Sequence, residues 1–378
     1  MRTLEDLMAS EDGRSLLEMR GVLNSVEAFV GRLRPPPDAR LAGHIGAAPG
    51  GPLVYAAHQL MVDYPESVVA KLRAAQQVGE HPGVVTVLLW LDMDRAGADK
   101  MAAGSIVRGR GGGLQIRLAS RRHDDKEVRF VPVEQAQLDQ TFHKIGAWAR
   151  QHTSAGGRLA RLTEVLRETK PRTLAQASMA LTSSLLREYL GMKAPSALVS
   201  ELASRGLLTE TMNDVVNAVD DVVTVFNAAT DSLVTADVDP QVHHLRLDYL
   251  PLHYSCDRDD RRCSLARLRR GADTFAVTRC ACGASYEFHL GSRSLSMDAV
   301  AATGRWSTDV TLPLYLNDLA SGVVAGRSSA LYGMVLNEVL EKVLARKPIP
   351  MLLPPDLPAV LAEGAETQSL LQRYVVGQ

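Results

Sequence analysis

Four cysteines carry the clearest chemical signal in this chain. Cys256, Cys263, Cys280 and Cys282 all fall between positions 256 and 282 of 378 residues, and the sequence has no other cysteine. Cys280-Ala281-Cys282-Gly283 offers two thiolates from one tight turn, with Gly283 able to fold the backbone back. Cys256 and Cys263 bracket the charged loop 257–262. Four thiolates complete a tetrahedral zinc shell and leave no position open to substrate, so the expected role is structural. Two disulfides, or four unrelated buried thiols, are the competing readings, and a reducing compartment disfavours the first. Arg258, Arg261, Arg262, Arg267, Arg269, Arg270 and Arg279 make the module basic. That face suits solvent, a phosphate or a nucleic acid.

A second set of polar residues gathers around glycines and strand ends. Gly43, His44, Gly46, Gly50 and Gly51 fall in a glycine-rich loop. It is expected between a short strand at 40–43 and a helix running from Pro52 to about Gln77. Backbone N–H groups beside a helix amino end suit a phosphate or carboxylate. Neither a P-loop lysine nor a G-x-G-x-x-G fingerprint is present. Tyr55 and His58, one turn apart on that helix, would line a ligand cleft. His58 then serves as acid/base or phosphate partner, or it is an ordinary satisfied polar residue. Asp92-Met93-Asp94-Arg95 ends the apolar run 84–91. Side chains alternate along a strand, so one of Asp92 and Asp94 faces a given side. There it would hold an amine or a ribose hydroxyl, or cap the next helix. Gly326, Arg327 and Ser328 open a helix after another strand, as an anion site or as a plain cap beside a surface arginine. No nucleophile elbow or Ser-His-Asp order appears. With the thiols assigned to zinc, catalysis would rest on positioning substrates and stabilising charge.

These groups need a scaffold. The formal net charge of −1 argues against a general nucleic-acid coat protein. No window reaches the roughly 18 apolar residues of a membrane span, and the first residues lack the pattern of a secretory signal, so a cytoplasmic location is expected. Residues 1–33 show helical periodicity and Pro35-Pro36-Pro37 forms a stiff linker. The unbroken run at 84–91 reads as a central parallel strand. Strands are expected at 114–118 and 128–133, mostly helix at 135–230 with a strand near 192–199, and strands within 243–254 and 275–290. A helix at about 311–319, a strand at 321–325 and a helix at 328–345 follow. This alternation predicts an α/β fold, a doubly wound parallel sheet with a mostly helical, zinc-containing insertion. The expected divisions are 1–38 (helical segment and linker), 39–134 (first half of the core), 135–240 (helical), 241–304 (zinc module) and 305–378 (second half of the core and tail).

Gly50-Gly51-Pro52-Leu53-Val54-Tyr55 with His58, the strand 84–90 with its acidic end, Thr311-Leu312-Pro313-Leu314, Val323-Val324-Ala325-Gly326, Tyr332 and Pro350-Met351-Leu352-Leu353-Pro354 occur in a telling order. The pattern resembles the cysteine-adding enzymes of bacillithiol biosynthesis, over about residues 40–95 and 305–355. The resemblance implies a Rossmann-like core akin to class I aminoacyl-tRNA synthetases, and an enzyme joining the carboxyl group of cysteine to a small-molecule amine. The sequence departs from that pattern: no histidine follows Asp94, Leu312 replaces an arginine, Ser328-Ser329-Ala330 replaces a segment with glycine and glutamate, and the long coiled-coil helix is missing. His44-Ile45-Gly46 echoes the synthetase signature, but Ala47 stands where its final histidine belongs. The functional expectation is a ligase condensing an amino acid with an amine, with structural zinc, ATP as candidate co-substrate and a homodimer as an open option. A non-catalytic binding or assembly protein and an RNA-binding synthetase relative are the alternatives, RNA being the less favoured partner.

Overall fold

A computed structural model describes residues 1–97, 99–105, 114–151, 153–309, 315–354 and 369–376. Helices α1 (Leu4–Ala9) and α2 (Glu11–Met19), capped by Thr3 and Ser10, lead into β1 (Val22–Leu23), α3 (Val26–Arg32) and α4 (Arg40–His44). Next come β2 (Leu53–Gln59), α5 (Glu66–Gly79), β3 (Val85–Leu91), α6 (Asp99–Ala102) and the pair β4 (Ala103–Ser105) and β5 (Gln115–Arg117). Helices α7 (Gln135–Gln151), α8 (Thr153–Thr169) and α9 (Leu174–Glu188) precede β6 (Ser196–Leu198). Then follow α10 (Val199–Ser204), α11 (Thr209–Asn217) and α12 (Val219–Thr235). A run of strands comes next: β7 (Tyr249–Ser255), β8 (Arg262–Arg270), β9 (Asp273–Arg279) and β10 (Ser285–Gly291). The chain closes with α13 (Asp298–Ala301), β11 (Trp306–Thr308), β12 (Gly322–Val324), α14 (Arg327–Lys342), β13 (Met351–Leu352) and α15 (Leu370–Val376).

Six strands form an all-parallel sheet in the order β1-β13-β12-β2-β3-β6. The centre is apolar on both faces because both are covered. Leu53, Tyr55, Val87 and Leu89 pack toward α10 to α12 and α14. Val54, Ala56, Leu88 and Trp90 pack toward α5 and α7 to α9. From β2 the chain moves outward through β3 to β6, then returns to the other side of β2 for β12. Where the order reverses, the carboxyl ends of β2 and β12 splay around a crevice. The second sheet, β10-β9-β8-β7-β11, is antiparallel and carries the cysteines at its turns.

The α/β class, the central strand at 84–91 and the strands near 192–199 and 321–325 agree with the sequence expectation. Three local assignments do not. Residues following Pro52 form a strand rather than a helix: Leu53-Val54-Tyr55-Ala56 is buried on both faces, which removes the alternation that marks a strand. The expected strand at 40–43 is the short helix α4. Within 128–133 the backbone makes a 3-10 turn, Val128–Phe130. The segment 311–314 lies outside the described residues. The divisions also interlock: β1, from the N-terminal segment, pairs with β13, and β11, from the C-terminal one, pairs with β7 in the cysteine sheet.

Candidate functional site

Two places bring reactive side chains together. At the first, the turn from β7 to β8 carries Cys256 and Asp259, Cys263 is the second residue of β8, and the β9–β10 turn carries Cys280 and Cys282. Gly283 takes φ +90°, closing the latter turn with a 2.9 Å bond from its N–H to the Cys280 carbonyl. None of the four cysteines is in a disulfide. Cys256 Sγ lies 3.6 Å from Cys282 Sγ, and Cys280 Sγ lies 3.5 Å from Asp259 Oδ1. One donor atom from each of Cys256, Asp259, Cys280 and Cys282 lies within 4.8 Å of the others, a set that could hold a metal ion. Sulfurs bound at about 2.3 Å in a tetrahedron stand roughly 3.8 Å apart, close to the observed gap. Cys263 packs into the same buried cluster with Cys256, Cys280 and Ala284. Asp259 was not among the expected ligands; its place in the loop between Cys256 and Cys263 is the sequence signal for it. Arg305 braces the loop by donating to the carbonyls of Ser255 and Cys256, both at 2.7 Å, and to Asp260 at 2.6 Å.

The second place is a cleft of about 640 Å³ at the carboxyl ends of β2 and β12. Its walls include Tyr55, His58 and Gln59 from β2, Lys71 from α5, Gln241 from the segment after α12, and Gly326, Arg327, Ser328, Ser329 and Tyr332 from the start of α14. Helix α14 enters through Gly326, which gives no side-chain cap, and no side chain among the described residues caps its first N–H groups. Arg327 pairs with Glu5 of α1. His58 Nδ1 is 2.9 Å from the Gln59 carbonyl. The Tyr55 side chain is almost fully buried, and its hydroxyl has no hydrogen-bond partner among the described residues. Burial pushes its pKa well above the usual value.

Lys71 is the residue that sequence reasoning missed. It shares the buried stripe of α5 with Val68, Leu72, Ala75 and Val78, yet carries an ammonium. Only 4% of it is exposed, and Nζ donates to the Ala57 carbonyl at 2.6 Å. No carboxylate among the described residues pairs with it. Burial lowers its pKa from 10.5 to about 8. A lysine on an apolar helical stripe is visible in sequence once the helix is placed at 66–79.

The other expected site residues separate. Tyr55, His58, Gly326, Arg327 and Ser328 meet in the cleft, although Tyr55 and His58 come from a strand. Gly43, His44, Gly46, Gly50 and Gly51 do not line it. The loop enters β2 at the amino end, and a Cβ on Gly51 would fall 2.6 Å from the Gly83 carbonyl. Tyr55, the first β2 residue to line the cleft, lies four residues beyond Gly51, about 13 Å at 3.3 Å each. Asp92 is buried and accepts from the N–H of Ser200 at 3.0 Å and from the Ser200 hydroxyl; it tethers the start of α10. Burial raises its pKa, against those hydrogen bonds. Asp94 holds Arg262 at 3.2 Å and accepts from the Gln59 amide, so it reaches the cleft wall through Gln59. Arg95 turns away and donates to the Arg262 carbonyl at 3.2 Å.

No protein-family model matches the chain, and no curated protein sequence matches it. Among the described residues no helix is long and apolar enough to cross a membrane.

Proposed function

We propose that the chain is a ligase of Rossmann-like architecture that condenses an amino acid with a small-molecule amine, its substrates meeting in the cleft between β2 and β12. The observation that carries the reading is the cleft itself. It opens where the strand order reverses and gathers His58, Lys71, Tyr332 and the amino end of α14, which is where open parallel sheets present ligands. His58 is the candidate acid/base and Asp94 a positioning residue acting through Gln59. Asp92 no longer belongs to the reading, because Ser200 occupies it. ATP is the candidate activating co-substrate. The metal we assign is zinc in a structural role, on the strength of a thiolate-rich donor set braced by Arg305.

One observation favours a second reading, a binding or assembly protein without catalysis: the glycine loop and Asp92 both lie outside the cleft. RNA binding is less favoured, since Arg261, Arg262, Arg267, Arg269 and Arg270 each pair with an acidic side chain. The deciding experiment incubates the full chain with ATP, cysteine or another amino acid, and a glucosaminyl amine, and looks for the amide by mass spectrometry. An amide that disappears in His58→Ala supports the ligase. Retained small-molecule binding with no amide under any combination moves the assignment to a binding protein.

A further inference from the structure

An ammonium in an apolar helix stripe demands an explanation. Isolated charges are strongly disfavoured in the interior and are normally paired or neutralised. Lys71 has one carbonyl for company and no carboxylate among the described residues. It does have an opening into the cleft that α14 faces with its amino end. Three features converge there independently: the Lys71 charge, the uncapped first turn of α14 with the hydroxyl residues Ser328 and Ser329, and the buried, unpartnered Tyr55 hydroxyl. Each supplies a hydrogen-bond donor or positive potential, and Arg327 is already matched by Glu5. A bound anion would offset the first two, with the Tyr55 hydroxyl behind the wall they share.

Resting on the assignment of this cleft as the functional site, we propose that it binds the phosphate group of a small phosphorylated molecule, with Lys71 as the charge partner and the first turn of α14 as the N–H cradle. A phosphate offers several strong acceptor oxygens to donors arriving from different elements, and lysine serves it as a point charge. A cleft of about 640 Å³ has room for a nucleotide-sized ligand. The titratable groups facing the same space are Tyr55 and His58 from β2 and Arg327 and Tyr332 from α14.

Titration calorimetry of the full chain at pH 7 with inorganic phosphate and with AMP tests this, using acetate and free cysteine as carboxylate controls. Wild type is expected to bind AMP, with phosphate competing. Lys71→Met is expected to weaken binding about tenfold to a hundredfold, the worth of a hydrogen bond to a charged group. Thermal melting checks that the variant is folded. Should it fail to fold, Ser328→Ala with Ser329→Ala provides the second probe, with weaker AMP binding expected. AMP affinity unchanged in folded Lys71→Met overturns the proposal, as does binding of the carboxylates alone. Lys71-dependent AMP binding without amide formation leaves this inference standing and removes the ligase. Amide formation indifferent to Lys71→Met does the reverse.

Discussion

Replacing Lys71 with methionine should make the protein more stable at neutral pH. The side chain is 4% exposed, and burial lowers its pKa from 10.5 to about 8. At about 1.4 kcal/mol per pH unit, holding the ammonium inside opposes folding by about 3 kcal/mol. The sign follows from linkage: between about pH 8 and 10.5 the unfolded chain binds the proton more tightly, so stability rises with pH across that window. Below about pH 8 the full penalty is present. Methionine keeps the long apolar stem but loses the bond to the Ala57 carbonyl, worth about 1 kcal/mol. The net expectation is a gain of about 2 kcal/mol at pH 7 that is gone by about pH 10.5. Urea denaturation of both proteins at the two pH values measures it. A Lys71→Met protein less stable than wild type at pH 7, or an equal difference at both pH values, would refute the argument that this charge is unpaired and buried.

Other perturbations separate structural from functional roles. Ser200→Ala removes the hydroxyl donor from the buried Asp92, leaving only the backbone N–H bond, and should lower unfolding free energy by about 1–3 kcal/mol, with AMP affinity unchanged in calorimetry. Gly51→Ala pushes a Cβ against the Gly83 carbonyl and should destabilise by about 1–3 kcal/mol; weaker ligand binding in the folded variant would return the glycine loop to the site. Arg262→Ala removes the cation shared by Asp94 and the fully buried Glu127, which keeps Arg129 at 2.7 Å, and should remove about 1–3 kcal/mol in denaturant titration. Chelation, or Cys280→Ser, should release one equivalent of metal by elemental analysis and lower the melting temperature; a protein that carries no metal as purified contradicts the zinc assignment.

The parts of the fold legible in sequence were those with one strong local cause. The run at 84–91 is too apolar and β-branched for anything but a buried strand, and the clustered cysteines announced a shared site. What misled was β2. Buried on both faces, Leu53 to Ala56 carries no alternation, and Pro52 suggested a helix start equally well. That single assignment moved the glycine loop to the wrong end of the sheet. The Asp92–Ser200 contact joins residues 108 apart, and nothing in either local sequence foretells it. Gly326, Arg327 and Ser328 were found because a glycine before a helix after a strand is a local signal. That β12 lies beside β2 is a property of the sheet order alone.

The most direct test of the site is hydrogen–deuterium exchange of the full chain with and without saturating AMP. Slower exchange at the end of β2 around residues 57–59 and in the first turn of α14, with the loop 43–51 unchanged, is the predicted result. Protection at 43–51 with none at α14 would contradict it and place the functional site at the amino ends of the strands.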